Sequence, residues 1–588
     1  MPGWLDYRAA HYIVLLAVGW ALTFPNLGAT TLWDVDEGVN AETAREMREA
    51  DTWVVPTFNW DLRTAKPVLL YWLQRISYDA FGVTEWAARF PSALFSLLTI
   101  LITYELGRRQ FGAATGLLAG IIVASSIECC KLAHAATPDA ALIAFITLYL
   151  FAFWRGQENG GRSWFLPCGA FSALAVLTKG PLVGLVLPAA IACTFLVWHR
   201  ELSRVWDRRM ISGCLAWAFI AGPWYGLVTA ETQGKWIKAF WYDENIGRAA
   251  APMENHSGIP VVYYLICLCL FFAPWSSFLL LTFRHAWQVV AKPSVEIPAI
   301  DDPTRSRRWT WAVKFWQRIR PETATIPTTP DEANRRTTRF LLVWIGVCLL
   351  ACSAAATKLP NYIAPLYPAL AILTARFFVQ WSRRLVEAPE WLLRASIICV
   401  AITGFVVAVG LLIVSGTIPL PVTIKQMRFF PGLENWAWIG LVPLAASALM
   451  FWHWRHGNRA SMVRWMAIGS VLFVGLAAAF PLRVIDRYKA AKTLVAESGA
   501  YQPRRDIRIG SHQYSQPSVV FYVGRRVEPF FEREVAAGFL AMPHPGYLFV
   551  PAEVWEQEVQ PLVTVPFRIA ARHYDYTRNC DIIVVTTE

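Results

Sequence analysis

Charge is scarce in this sequence. Only 16% of its residues are Asp, Glu, Lys or Arg, whereas a soluble globular chain carries about a quarter. Polar linkers between compact segments are also missing through most of the 588 residues, which excludes the usual layout of a soluble multidomain protein. The cysteines form no CxxC pair, and all but Cys580 lie in or at the ends of apolar runs. Neither a disulfide framework nor a thiolate metal site is therefore legible, and packing is their expected role. No small-x-small cleavage site follows the first apolar run, from His11 to about Pro25. That run reads as a retained helix and not as a signal peptide. An internal repeat of the kind transporters carry is absent too.

What the chain has instead is a recurring apolar run. Apolar residues make up 55% of the sequence, gathered in stretches long enough to cross a bilayer, which takes roughly 20 helical residues. The pattern predicts an α-helical polytopic membrane protein with about thirteen spans. They fall near 11–27, 87–107, 113–130, 135–154, 163–178, 181–198, 211–229, 259–283, 339–357, 361–381, 391–415, 433–452 and 464–481. The formal charge of +12 does not point to nucleic acid, because the basic residues sit in alternate loops. Arg108 and Arg109, Arg155 and Arg162, Arg200 to Arg209, Arg383 and Arg384, and Arg455 and Arg459 all fall on one side. The positive-inside bias makes that side cytoplasmic, with the N-terminus inside and the C-terminus outside. The 29 tryptophans fit helices that meet lipid headgroups.

Three polar segments exceed an ordinary connection. Residues 28–86 form a first outer loop, in which Asp36 to Ala50 reads as a short helix lying on the membrane. Residues 284–338 form a cytoplasmic loop with more basic than acidic residues; its Trp309, Trp311, Phe315 and Trp316 suit either anionic headgroups or a solvated linker. Residues 482–588, after a membrane domain spanning 1–481, read as a small extracytoplasmic α/β domain. Strands are expected at Val519–Val523, Tyr547–Val550 and Ile582–Val585, with a helix at Glu532–Met542.

Chemistry-bearing residues gather in the outer segments. Asp36 and Glu37 stand in a loop at the mouth of a helical bundle, where carboxylates can bind a cation, hold a sugar hydroxyl or take a proton. Asp36 can equally cap the helix that follows it. Lys66-Pro67 and Tyr71-Trp72 suit a polar headgroup on a lipid stem, or plain interfacial anchoring. Lys179 interrupts two apolar runs in Leu177-Thr-Lys-Gly-Pro181, and an ionisable residue at a membrane break is a functional candidate. Lys358 and Tyr362 stand one turn apart near another outer helix end. Arg89 either binds phosphate or ties the loop to the bundle, and His256 is a lone outer-loop histidine.

Taken in order, these motifs resemble a known family. Asp36-Glu37, Ala44-Arg-Glu-Met47, Trp53-x-x-Pro56, Lys66-Pro67 and Tyr71-Trp72 look like the first loop of the GT-C membrane glycosyltransferases. The likeness is to the branch holding the lipid A aminoarabinose transferases and the protein O-mannosyltransferases. It continues at Arg89-Phe-Pro91, Leu177-Thr-Lys-Gly180, His256 with Tyr263-Tyr264, and Thr357-Lys-Leu-Pro-Asn-Tyr362, and ends at Pro517-Ser-Val-Val-Phe-Tyr522 through Arg525. The resemblance implies a GT-C fold and transfer of a hexose or pentose from a polyprenyl-phosphate donor to a lipid, protein or glycan acceptor at the outer face of the cytoplasmic membrane. It implies Asp36 as base or acceptor-positioning carboxylate, with Glu37 beside it, and Lys66, Arg89, Lys179, Lys358 and Tyr362 as donor-binding residues. Cations at the leaving phosphate would stabilise the charge that develops there. His256 falls where the lipid A enzyme holds a divalent metal, but Ala65 stands where that enzyme has the partner glutamate, so no cofactor is firmly implied.

Two other classes compete. A transporter or flippase of lipid-linked substrates places ionisable residues near the bilayer midplane, whereas here the acidic residues concentrate in an outer loop. A membrane scaffold with a sensory outer domain leaves Asp36 and the three lysines without a role.

Overall fold

The computed structural model describes residues 8–158, 164–247, 261–291, 330–419, 427–502 and 506–588. Within them, eight helices are long and apolar enough to cross a membrane, or up to ten if two bent pairs each count as one span. Three shorter apolar helices, Arg8–Thr23, Phe165–Lys179 and Leu182–Trp198, lie where further spans are expected.

The chain begins with α1 (Arg8–Thr23), then α2 (Asp36–Glu49), a two-stranded turn of β1 (Thr57–Phe58) and β2 (Asp61–Leu62), and α3 (Leu69–Phe81). The first long helix, α4 (Glu85–Phe111), starts at Thr84, whose side chain accepts the Ala87 N–H, and stops at Gly112. Next come α5 (Ala113–Ala124) and α6 (Ile127–Ala133), one apolar run bent by 64° at the break between them. They lead into α7 (Asp139–Glu158) and α8 (Phe165–Lys179). After α8, a wide turn over Leu182–Val186 leads into α9 (Leu187–Trp198).

Burial ranks the later helices. The Pro360–Ser382 window is 89% buried and that of α7 is 78% buried, so these two form the centre of the bundle. Glu390–Val414 is 17% buried and Met210–Glu231 is 22% buried, leaving apolar surfaces suited to lipid.

The helix expected on the membrane surface is instead enclosed. In α2 every residue from Glu37 to Met47 is buried, and the helix packs against α3 and against a helix at Pro517–Val523. Its charges are neutralised locally: Arg45 pairs with Glu42 and Glu49 at 2.5 and 2.8 Å. Glu46 accepts from Thr57 Oγ1 at 2.6 Å and from the Trp60 N–H.

The C-terminal residues build a five-stranded sheet in the order β4-β3-β5-β7-β6, with β3 (Arg508–His512), β4 (Glu528–Phe530), β5 (Gly546–Pro551), β6 (Arg568–Asp575) and β7 (Cys580–Thr586). The first three are parallel and β6 and β7 run antiparallel. Two expected strands, around Tyr547–Val550 and Ile582–Val585, are β5 and β7, and the expected helix is Arg533–Leu540. The third is a correction: Pro517–Val523 is a helix, with Pro517 at its first turn. Its apolar residues are buried nearly all round, so the run carries no periodicity that separates strand from helix.

Candidate active site

A cavity of about 460 Å³ opens among α7, α8, α9 and the segment Pro360–Leu366. Its apolar lining includes Leu182, Val183, Val186, Leu187, Ala190 and Val347. Its polar lining includes Lys66, Asp139, Lys179, Glu244, Asn361 and Tyr362. The chain's local structure puts them there. Lys179 is the last residue of α8, which Gly180 terminates at φ +108°, a conformation that glycine adopts without strain. Asp139 is the first residue of α7, where a carboxylate favours the positive end of the helix. Lys66 precedes α3, and Asn361 and Tyr362 lie in the short turn before the buried helix Tyr367–Ser382.

Asp139 organises this polar lining. One oxygen accepts from Lys179 Nζ and the other from Asn361 Nδ2 at 3.0 Å. The Lys179 ammonium also lies 5.1 Å from the centre of the Tyr362 ring. Asp36, exposed at the start of α2, is near enough for its charge to act on both Lys179 and Tyr71. Asp36 makes no cap, because Val35 holds the capping position and α2 has no side-chain cap bond. The apolar lining and the two lysines in the same cavity together suit an amphiphile with a phosphate head.

Of the sequence candidates, Lys66, Lys179 and Tyr362 line the cavity, and Asp36 is not among the lining residues but lies close enough for its charge to reach Lys179. Three do not join them. Arg89 is 1% exposed and forms a bidentate pair with Glu37, at 2.9 and 2.7 Å. Its remaining N–H groups bond the carbonyls of Leu27, Thr30 and Thr31. Glu37 in turn accepts the N–H groups of Trp33 and Ala136 at 2.8 and 2.6 Å. Burial pushes the Glu37 carboxyl up, but the Arg89 guanidinium outweighs it and holds the group below the usual carboxylate range. Glu37 is thus a structural anion and Arg89 the tie between loop and bundle. Lys358 is 3% exposed, and its ammonium donates to the carbonyls of Ser353 and Ala355 instead of entering the cavity. His256 lies outside the described residues. Among the described residues no three His, Cys, Asp or Glu side chains come together as a metal cluster, and Ala65, in the cavity wall, offers no ligating atom.

Sequence reasoning missed Asp139, Asn361 and Glu244. Asp139 follows Pro138 at a helix start, where an acid needs no special explanation. Its pairing with Lys179 spans 40 residues and leaves no local trace.

Residues 65–225 match the family model described as dolichyl-phosphate-mannose-protein mannosyltransferase. The chain is 28% identical over 379 residues to an uncharacterized protein of Aquifex aeolicus, covering 64% of this chain and 65% of that one. It is 26% identical over 501 residues to the undecaprenyl phosphate-alpha-4-amino-4-deoxy-L-arabinose arabinosyl transferase of Erwinia tasmaniensis, covering 82% of this chain and 78% of that one. The crystal structure of ArnT from Cupriavidus metallidurans bound to undecaprenyl phosphate superposes with a TM-score of 0.76 at 20% identity, covering 99% of each chain. The fold is that of the GT-C class of multi-pass membrane proteins. Within that class the chain is similar to the aminoarabinose transferases over most of its length and, over residues 65–225, to the protein mannosyltransferases.

Proposed function

We propose that this protein transfers a sugar from a polyprenyl-phosphate carrier to an acceptor at the outer face of the cytoplasmic membrane. The observation that carries the reading is the cavity, whose mostly apolar wall also carries Lys66 and Lys179. The apolar wall takes the first isoprene units and the ammonium groups take the phosphate. The acceptor hydroxyl attacks the anomeric carbon, the bond from that carbon to the phosphate oxygen breaks, and the electron pair leaves with the carrier phosphate. Asp36 takes the acceptor proton, and Lys179, held by Asp139 and stacked on Tyr362, meets the charge developing on the phosphate. Single displacement inverts the anomeric centre. Nothing in the cavity favours the transporter reading.

In this reading the membrane domain covers residues 1–481 with about thirteen spans. Residues 482–588 lie outside as an α/β domain, and the N-terminus lies in the cytoplasm. Lipid, protein hydroxyl and surface glycan all remain acceptor classes. No step runs through a metal, because Ala65 removes one ligand of the pair that the family resemblance implies.

Binding of a polyprenyl phosphate to purified wild-type, Lys66→Ala and Lys179→Ala protein tests the cavity. Ligand-induced thermal stabilisation in the wild type that is lost in both variants supports it. Equal stabilisation in all three places the carrier elsewhere.

A further inference from the structure

The motif Pro517-Ser-Val-Val-Phe-Tyr522 takes no part in the cavity, yet it touches the segment that presents Asp36. Ser518 N–H donates to Asp34 Oδ1 at 2.7 Å, and Ser518 Oγ donates to Asp34 Oδ2. Tyr522 Oη accepts the Leu32 N–H at 2.8 Å and donates to Glu85 at 3.1 Å. The approach is close: a Cβ on Gly38 would lie 2.7 Å from Ser518 N, so no side chain fits there. One residue before Leu32, the chain is also held by Asp486, which accepts the Thr31 N–H and hydroxyl at 3.0 and 2.7 Å. On the bundle side, Arg89 and Ala136 fix Glu37. Between Asp34, spent on Ser518, and Glu37, spent on Arg89, Val35 and Asp36 are exposed, and no hydrogen bond engages the Asp36 carboxylate among the described residues.

We infer that Ser518, acting through Asp34, is a positioning residue for the transfer reaction: the C-terminal unit sets where the Asp36 carboxylate stands relative to the cavity. The inference rests on the reading of Asp36 given above. It gives the Asp34 carboxylate and the Pro517–Val523 helix a shared role that packing alone does not require, since a half-buried carboxylate is a costly way to join two apolar surfaces. Burial raises the Asp34 carboxyl to about 6; the two Ser518 bonds and the Lys489 charge oppose the rise, and Asp575 adds to it. Losing the Ser518 hydroxyl removes one of the two hydrogen bonds that oppose the rise.

The test compares Asp34→Ala, Asp34→Asn, Ser518→Ala and Asp36→Asn for turnover, donor KM and carrier binding. Asp34→Ala should cut kcat by about ten- to a hundred-fold, as small misplacements of reacting groups do, with donor KM and carrier affinity within about three-fold of wild type. Asp34→Asn keeps an oxygen for the Ser518 N–H and should recover most of that loss. Ser518→Ala should lower kcat less than Asp34→Ala and shift the acid limb of its pH profile upward, because a carboxylate that loses a donor is harder to ionise. Should Asp34→Ala not fold, Ser518→Ala carries the test alone. Normal turnover in Asp34→Ala or Ser518→Ala, with Asp36→Asn inactive, overturns the positioning role and leaves the Asp36 reading standing. Equal losses in turnover and carrier affinity mean general loosening and also overturn it. Normal turnover in Asp36→Asn removes the reading of Asp36 itself, and this inference with it.

Discussion

Lys179 and Asp139 meet as an ion pair in the lining of the cavity, with side-chain exposures of 11% and 6%. Removing one member of a buried pair leaves the other uncompensated, which costs about 3–5 kcal/mol, whereas replacing both is often close to neutral. Lys179→Ala alone should therefore lower both thermal stability and carrier affinity. Lys179→Met with Asp139→Leu should regain most of the stability and none of the affinity. The ammonium-to-phosphate bond is worth about 1.5–3 kcal/mol, so the affinity loss should be about ten- to a hundred-fold. Thermal unfolding and carrier titration of the single and double variants separate the two effects. Wild-type affinity in the double variant would remove Lys179 from the phosphate site.

Arg89 and Lys358 should behave differently from Lys179, although the sequence groups all three. Arg89→Ala strands Glu37 and frees three loop carbonyls, so the loss should be in stability, about 3–5 kcal/mol. Lys358→Ala should leave carrier affinity within a few-fold of wild type, because its ammonium faces backbone carbonyls. A Lys358→Ala variant with normal stability and a hundred-fold weaker carrier affinity would contradict the assignment.

These two residues show what a sequence can and cannot carry. The bundle was legible because each span is a run of apolar residues, a property of neighbours in the chain. Lys66 and Lys179, which line the cavity, stand out in the sequence because a charge beside an apolar run is conspicuous. Whether a charge faces the cavity or is spent on a partner depends on residues far away, as with Arg89 and Glu37, 52 positions apart. Asp139 was passed over for the same reason. The Pro517–Val523 helix was misread because burial on every side erases its period.

Glu46 gives a pH prediction. Burial raises its carboxyl to about 7, the bonds from Thr57 and Trp60 pull it down, and Glu42 pushes it up. A carboxyl raised on folding binds its proton more tightly in the native state. Its contribution is fully present below the unfolded value near 4.5 and is lost as pH rises through about 7. Glu46→Gln keeps an acceptor for Thr57 and should therefore raise Tm at pH 8 while changing it little at pH 4.5. Scanning calorimetry at the two pH values checks this, and a lower Tm at pH 8 would show that the ionised form is the one the fold needs.

Metal dependence follows from Ala65. The purified enzyme should hold no stoichiometric zinc and should keep its activity after chelation. Elemental analysis that finds one tightly held zinc per chain, with activity lost on its removal, would show that other residues complete the site.

The most direct test of the account is transfer itself. Purified protein is given labelled polyprenyl-phosphate pentoses and hexoses with cell-envelope lipids, peptides and glycans, and release of the free carrier phosphate is followed for wild type and Asp36→Asn. The account predicts carrier release with sugar appearing on an acceptor in the wild type. In Asp36→Asn it predicts neither, although carrier binding stays within a few-fold of wild type. Intact donor after prolonged incubation with wild-type protein, together with its movement across vesicle membranes, would contradict the account and make the protein a transporter.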